Sequence, residues 1–196
     1  MKGNTRRKDI IEAYAKVIED KGIEGASLGA VASSLGIPQS LIFHYFKNKE
    51  ELTTSLADTV AEECAAFYEK AWPLGEYTRE SFVSFVEYTL EIHRNRRGMV
   101  SPKLYMALVY LMPRQPGVVN AFIKLTDDAI DRIVSQLKLF GEAGIIKCAD
   151  HRMAAMTLMC LADGILCYDG LFHEEERLDF IKCQRDNYLR YVGFNN

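Results

Sequence analysis

Residues 10–52 read IIEAYAKVIEDKGIEGASLGAVASSLGIPQSLIFHYFKNKEEL, and the punctuation of this stretch decides the fold. Ile10, Ile11, Tyr14, Val17 and Ile18 fall at the spacing of one helical face, and Lys21-Gly22 supplies a stop. Ser27 is an N-cap for a short second helix with Leu28, Val31, Ala32 and Leu35 on its apolar side. Gly36 permits a sharp turn, and the fixed φ of Pro38 suits the first turn of a third helix, Gln39 to about Tyr45. Two short helices joined by a glycine turn make a helix-turn-helix pattern. Small Ala32 lets the pair cross closely, while Ile37 and Ile42 plug the core beneath it.

Working outward, a fourth helix is expected from about Asn48 to Ala71, with Leu52, Leu56, Val60, Cys64, Phe67 and Ala71 along one side. At ~1.5 Å per residue it exceeds ~30 Å, enough to leave one domain and enter another. Trp72-Pro73-Leu74-Gly75 breaks it. Further helices are expected at about 78–97, 102–112, 116–141, 150–172 and 175–192, separated by Gly98 with Pro102, Pro113 with Pro116-Gly117, and Gly141 with Gly144. No stretch sustains the period-two alternation of a strand, and no internal repeat is visible. The fold class expected is all-α. A three-helix head occupies residues 1–52, and a long connecting helix leads into a larger helical body over 53–196.

Composition narrows the class without naming a partner. Of 196 residues 48% are hydrophobic and 26% charged, proportions of a globular chain that can bury a core without metal or disulfide staples. The net charge of −3 predicts neither nucleic acid nor an anionic membrane, so any such partner must come from a local motif. Five cysteines with no CxxC pair argue for reduced thiols and a cytoplasmic location. The charged amino terminus lacks a continuous apolar stretch of signal-peptide type. The longest apolar run, Tyr105 to Met112, is far below the ~20 residues of a bilayer span. No membrane is expected as a partner.

The order of features over residues 8–52 carries more weight than any one of them. A helix with a Lys-Gly stop precedes Ser27, then the Leu35-Gly36-Ile37 turn, then His44-Tyr45-Phe46 followed by Lys47-Asn48-Lys49-Glu50. This string resembles the DNA-binding head of the tetracycline-repressor (TetR) family of bacterial transcription regulators. The resemblance implies that the third helix lies in the major groove, where side chains near its start meet base edges. Gln39 would be the direct reader, its amide donating and accepting at one adenine edge. Ser40 would hydrogen-bond a base and Leu41 would touch a thymine methyl. His44, Tyr45 and Lys49 would grip phosphates, with Ser27 and helix-start amides as further donors. Three features depart from the family's pattern. Phe43 lacks the hydroxyl of the frequent tyrosine, Gln39 stands where a basic residue is common, and residues 1–52 hold 8 basic against 7 acidic side chains. Arg6, Arg7 and Lys8 could make up the deficit as a mobile basic arm.

The resemblance also implies a body that binds a small effector and pairs two subunits on an inverted-repeat operator. Residues 53–196 hold 16 basic and 20 acidic side chains, so DNA contact is not expected there. Phe85, Tyr88, Tyr105, Met106, Phe122 and Met156 are the candidate ligand-lining residues, a set suited to an apolar or flat aromatic molecule. Polar candidates among them are Glu87, His93 and Asp163. Met99 belongs to the same rich set of Met and aromatic residues. The last two helices are the candidate interface of a homodimer, with Leu178, Ile181, Tyr188, Leu189 and Val192 on one face and small Ala154, Ala155, Ala162 and Gly164 on the preceding helix.

Other classes find less support. No phosphate-binding glycine loop, HExxH or nucleophile setting points to an enzyme or a cofactor. Four histidines spread along the chain, with only Cys148 and His151 at i, i+3, do not make a metal site. Two alternatives remain: a thiol-based redox-sensing regulator, and a helical protein-binding adaptor without DNA binding. Cys64, Cys160 and Cys167 sit in apolar helix stretches and are expected to be buried. The function expected is a ligand-responsive repressor released from DNA by its effector.

Overall fold

Side-chain caps and left-handed glycines set the helix boundaries. The computed structural model describes residues 2–72, 75–95, 100–168 and 171–194, with backbone alone for 2–4. In chain order the elements are α1 (Lys2–Gly25), α2 (Leu28–Leu35), α3 (Gln39–Tyr45), α4 (Lys49–Ala71), α5 (Arg79–Leu90), α6 (Ile92–Asn95), α7 (Pro102–Leu111), α8 (Pro116–Glu142), α9 (His151–Tyr168) and α10 (Glu174–Tyr191). A 3-10 turn, Met112–Arg114, joins α7 to α8. The fold is all-α, with no strand among the described residues. Pro73, Leu74, Gly98 and Met99 lie outside the described residues.

Packing divides the chain into two units, Met1–Cys64 with Arg97–Leu125 and Ala65–Arg96 with Thr126–Asn196. The division at residue 52 is one of expected role. By packing, α7 and the first part of α8 go with the head.

In the first unit, α1 loses its regular course at Gly22, whose φ of 72° and ψ of 169° interrupt the helix. Ser27 caps α2 by accepting from the Ala30 amide at 3.1 Å. Gly36, at φ 62°, closes α2 in the left-handed conformation, and the Ile37 amide reaches back to the Ala32 carbonyl. Helix α3 begins at Gln39 as expected, with Pro38 just ahead of it. The Pro38 ψ of 141° keeps it outside the helix as N-cap, its carbonyl accepting from the Leu41 amide at 3.0 Å. Ile10, Tyr14, Val31, Ile42, Phe46, Leu52 and Leu56 are buried and form the core beneath this pair. The first turn of α7 is tied to the far end of α1, Ser101 donating to the Glu19 carboxylate and Lys103 to the Glu19 carbonyl.

The second unit is built around aromatic side chains of α4, α5 and α8. Phe82 and Phe140 meet at 4.8 Å between ring centres, and Tyr68 stacks on Trp72 at 4.7 Å. Both α9 and α10 pack on α5. The Tyr188 hydroxyl donates to the Ala154 carbonyl, which fixes α10 on α9, and burial raises its phenol pKa. The helix expected over 78–97 is broken at Glu91. Thr89 bonds back to the Phe85 carbonyl while accepting from the Trp72 indole, a competition with the helical ladder that bends a helix without Gly or Pro. The Glu91 carboxylate is then taken by buried Arg177 at 2.6 Å.

Gly117, near the start of α8, lies close against α4. A Cβ there would stand 2.3 Å from Thr54 Oγ1 and 3.0 Å from its Cβ on α4. Gly117→Ala is expected to destabilise the protein by about 1–3 kcal/mol through overpacking. Adding Thr54→Ala should recover much of the loss, measured by urea unfolding of the single and double variants.

Candidate nucleic-acid interface

Helix α3 turns two different faces outward and inward. Ile42 and the following Phe46 are buried, whereas Gln39, Ser40, Phe43 and His44 are exposed. Leu41 and Tyr45 are half-buried. The rings of His44 and Tyr45 meet edge to face at 5.2 Å, which limits their rotation and leaves His44 the more open of the two. At α2, Ser27 is exposed and keeps a hydroxyl proton to donate while its oxygen serves as the cap. Gln39 lies close to the same corner: a Cβ on Gly29 would stand 3.4 Å from Gln39 Oε1.

Phe43 is the surface residue whose role the sequence reading missed. It is 51% exposed and one turn along α3 from Gln39. The available signal was an aromatic on the polar side of a short helix. Its ring offers apolar contact to a thymine methyl, a use that needs no hydroxyl.

The cations are less free than their sequence positions suggest. Lys49 Nζ donates to the Ile23 carbonyl at 2.9 Å, closing the end of α1, and partial burial lowers its pKa. Two ammonium protons remain for another acceptor. The expected mobile arm is instead part of α1. Arg7 donates to Ser55 Oγ at 2.7 Å, and its guanidinium lies 4.7 Å from the Phe46 ring centre. Arg6 and Lys8 face Asp9 and Glu12 along the same helix.

The candidate ligand residues fall in different units. Tyr105 and Phe122 are buried in the first, their ring centres 5.3 Å apart, with Met106 half-buried beside Tyr105 in sequence. Phe85 packs with Phe82 and Phe140 in the second, and Tyr88 lies near Phe67. Met156 is 40% exposed on the outer side of α9, with Met153. It is therefore a surface residue of the subunit, not a cavity lining. The polar candidates are taken up by protein partners: Glu87 by Arg185 at 2.5 Å, and His93 Nε2 by Asp163 at 2.7 Å.

Of the five interface residues expected along α10 and its C-cap, Leu178 alone is exposed and Leu189 is half-buried. Ile181, Tyr188 and Val192 are buried inside their own subunit at 6%, 1% and 0% exposure, so packing on α5 and α9 uses them. The exposed apolar side chains of these helices are Met153, Met156, Tyr168, Leu178, Phe180 and Tyr191. The cysteines also differ from expectation. Cys64 is buried, but Cys160 and Cys167 are exposed, because the outer side of α9 is itself apolar, and Cys183 is exposed on α10.

Comparison with known proteins finds relatives of the head and of the fold. The sequence model described as "Bacterial regulatory proteins, tetR family" matches residues 10–56. The HTH-type transcriptional repressor AcnR of Corynebacterium diphtheriae is 25% identical over 128 residues, 64% of this chain and 61% of that protein. The HTH-type transcriptional regulator PksA of Bacillus subtilis is 38% identical over 58 residues, 30% of this chain and 28% of that protein. The matches thus span less than two thirds of either relative. A solved TetR transcription regulator from Haloarcula marismortui shares the fold over 96% of this chain and 98% of its own, with TM-score 0.78 and 12% identity. Residues 10–56 thus match the head of the TetR family of bacterial regulators, and the whole chain shares the fold of solved proteins of that description.

The anchored state of Arg7 has a measurable consequence. Arg7→Ala is expected to cost about 1–2 kcal/mol through the lost hydrogen bond and ring contact. Arg7→Lys keeps the charge but loses the planar stack, and should recover only part of the loss in thermal unfolding. Equal stability of all three proteins would return Arg7 to a solvated arm.

Proposed function

We propose that the chain is a homodimeric DNA-binding transcriptional repressor that an apolar or flat aromatic effector releases from an inverted-repeat operator. The observation that carries the reading is the exposed row Gln39, Ser40, Phe43 and His44, held over a buried Ile42–Phe46 core in a family-matched head. In this reading α3 enters the major groove, Gln39 and Ser40 meet base edges, and half-buried Leu41 supports the helix more than it reads. Ser27, His44, Tyr45 and Lys49 hold phosphates on either side.

The buried ring pair Tyr105–Phe122, with Met106, is the favoured effector locus, since flat ligands take the place of one ring against another. It lies on α7 and α8, which reach the head at two points, Glu19 on α1 and Thr54 on α4. An effector that spreads the rings moves both contacts, and it changes DNA affinity only by its preference for one head arrangement. The subunit partner is a second copy, docked through the exposed apolar side of α9 and α10. That such chains work in pairs is the family's habit, and Leu178 and Met156 are accessible for it.

A thiol input is the second reading, favoured by exposed Cys160, Cys167 and Cys183. Cys148 is the weaker candidate because burial raises its thiol pKa. A gel shift with DNA upstream of the chain's own gene, run with and without peroxide, separates thiol from ligand sensing. No shift under either condition would leave the adaptor without DNA binding.

Two sets of variants test the repressor reading. Gln39→Ala should cost roughly 1–3 kcal/mol on the selected operator and little on operators altered at the contacted pair. Lys49→Ala should weaken all sequences alike and lower the salt slope by about one unit per head. At the subunit contact, Leu178→Asp should give a folded monomer in sedimentation. Ile181→Asp should instead unfold the subunit by several kcal/mol, because it buries an unpaired charge. A folded monomer from Ile181→Asp would move the interface onto the buried face.

A further inference from the structure

Two lysines from different helices grip α1 on either side of a break in its backbone. We infer that Gly22 is a joint through which α7 sets the position of Lys49, with Lys103 as the positioning residue. The inference rests on the phosphate contact proposed above for Lys49.

The break is a backbone requirement. Gly22 stands at φ 72° and ψ 169°, a region that glycine alone occupies without strain. A Cβ built there would meet nothing within 4 Å, so packing does not demand glycine at this place. Before the break, α1 is anchored by buried Ile10, Tyr14, Val17 and Ile18. After it, Glu24 and Gly25 are exposed and Ile23 is half-buried, until Ala26 returns to the core. Residues 23–25 are thus a short strut with little apolar anchorage, and polar contacts set where it lies.

Those contacts come from two helices. Lys103, in the first turn of α7, donates to the Glu19 carbonyl, and Ser101, the α7 cap, donates to the Glu19 carboxylate. Beyond the break, the Ile23 carbonyl accepts from Lys49 Nζ at 2.9 Å. Carbonyls at the end of a helix favour a cation, which gives both ammonium groups a firm hold. Helix α7 therefore fixes the last regular turn of α1, and the strut that leaves this turn carries the acceptor for Lys49. An ammonium with one proton on that carbonyl offers the other two where the carbonyl leaves them. A movement of α7 that pulls Glu19 turns the chain at Gly22 and carries Lys49 with Ile23. This route needs no change in α3, so it alters the grip on phosphate and leaves base preference as it was.

The test measures binding of the full chain to a duplex selected from a randomised pool, by fluorescence anisotropy over a range of salt. Lys103 is exposed, so its replacement leaves the core intact. Lys103→Ala is expected to weaken binding roughly 2- to 30-fold without changing sequence preference. It should also lower the salt slope by about one unit per head, the signature of a lost phosphate contact. Lys103→Arg, which still donates to a carbonyl, should restore both. In a Lys49→Ala background Lys103→Ala should add nothing, because its effect passes through Lys49. Gly22→Ala should reproduce the loss, since alanine leaves this backbone region. Additive losses from Lys49→Ala and Lys103→Ala would mean that Lys103 touches DNA itself, and would overturn the inference. So would Lys103→Ala lowering thermal stability at an unchanged salt slope, or Gly22→Ala binding like the wild type. A Lys49→Ala salt slope equal to that of the wild type would remove the phosphate contact, and the inference with it. No enrichment of any duplex would instead overturn the DNA-binding function itself.

Discussion

Tyr14, fully buried in α1, donates its hydroxyl to Thr53 at 2.9 Å, and Thr53 in turn donates to the Lys49 carbonyl at 2.8 Å. Lys49 closes the circuit by bonding the Ile23 carbonyl at the end of α1. This chain of polar contacts inside an apolar head is what fixes the start of α4 against α1. A buried hydroxyl without its partner costs about 1–3 kcal/mol, so the arrangement tolerates one register of the two helices and penalises its neighbours. Burial raises the Tyr14 phenol pKa, which keeps it a donor throughout the physiological range. Helices α2 and α3 then sit where the α1–α4 frame leaves them, and the exposed row of α3 inherits its direction from that frame.

The head was legible because its boundaries are written in residues with one physical use. Ser27 can cap and Gly36 can adopt positive φ, so both helix ends follow from side-chain chemistry without tertiary context. The fixed φ of Pro38 is compatible with both the N-cap and the first helical turn, and only its ψ shows that it is the N-cap. The nearness of Gln39 to the start of α2 was illegible for a different reason: Gly29 lies ten residues earlier, and no local pattern reports that approach. Lys49 and Arg7 show the same limit. A cation at a helix start reads as a phosphate ligand, and only the fold reveals that Ile23, Ser55 and Phe46 already hold these two.

Helix α10 illustrates how periodicity misleads in the body. Its 3.6-residue pattern selects Ile181, Tyr188 and Val192 correctly as one apolar face. Periodicity cannot say whether the surface opposite belongs to the same subunit or to another. Arg177 decides the matter in the structure, because it too is buried and pairs with Glu91 on the α5–α6 turn. A charge paired inside the fold fixes that face inward. The cysteines of α9 follow the converse logic. They lie on an apolar stripe, which suggests burial, yet the stripe is the outer one. An apolar outer face on a helix whose inner face is already packed is the feature of α9 that the proposed pairing of subunits uses.

Charge sets the terms on which such a head could hold DNA. Residues 1–52 carry a net charge of only +1, and two of their basic side chains are partly committed to internal contacts. Each phosphate neutralised contributes a salt-dependent gain through counterion release, so a head with few free cations binds nonspecific DNA weakly. Base contacts then make up a larger share of the total, which favours discrimination over raw affinity. In the proposed dimer, joining two weak heads would restore affinity, because the second binds at a high effective concentration when the half-site spacing fits. The same arithmetic makes release easy. In the function proposed above, a shift in head spacing that prevents simultaneous binding would leave each head with its own small affinity, so a modest effector-driven movement would suffice to free the operator.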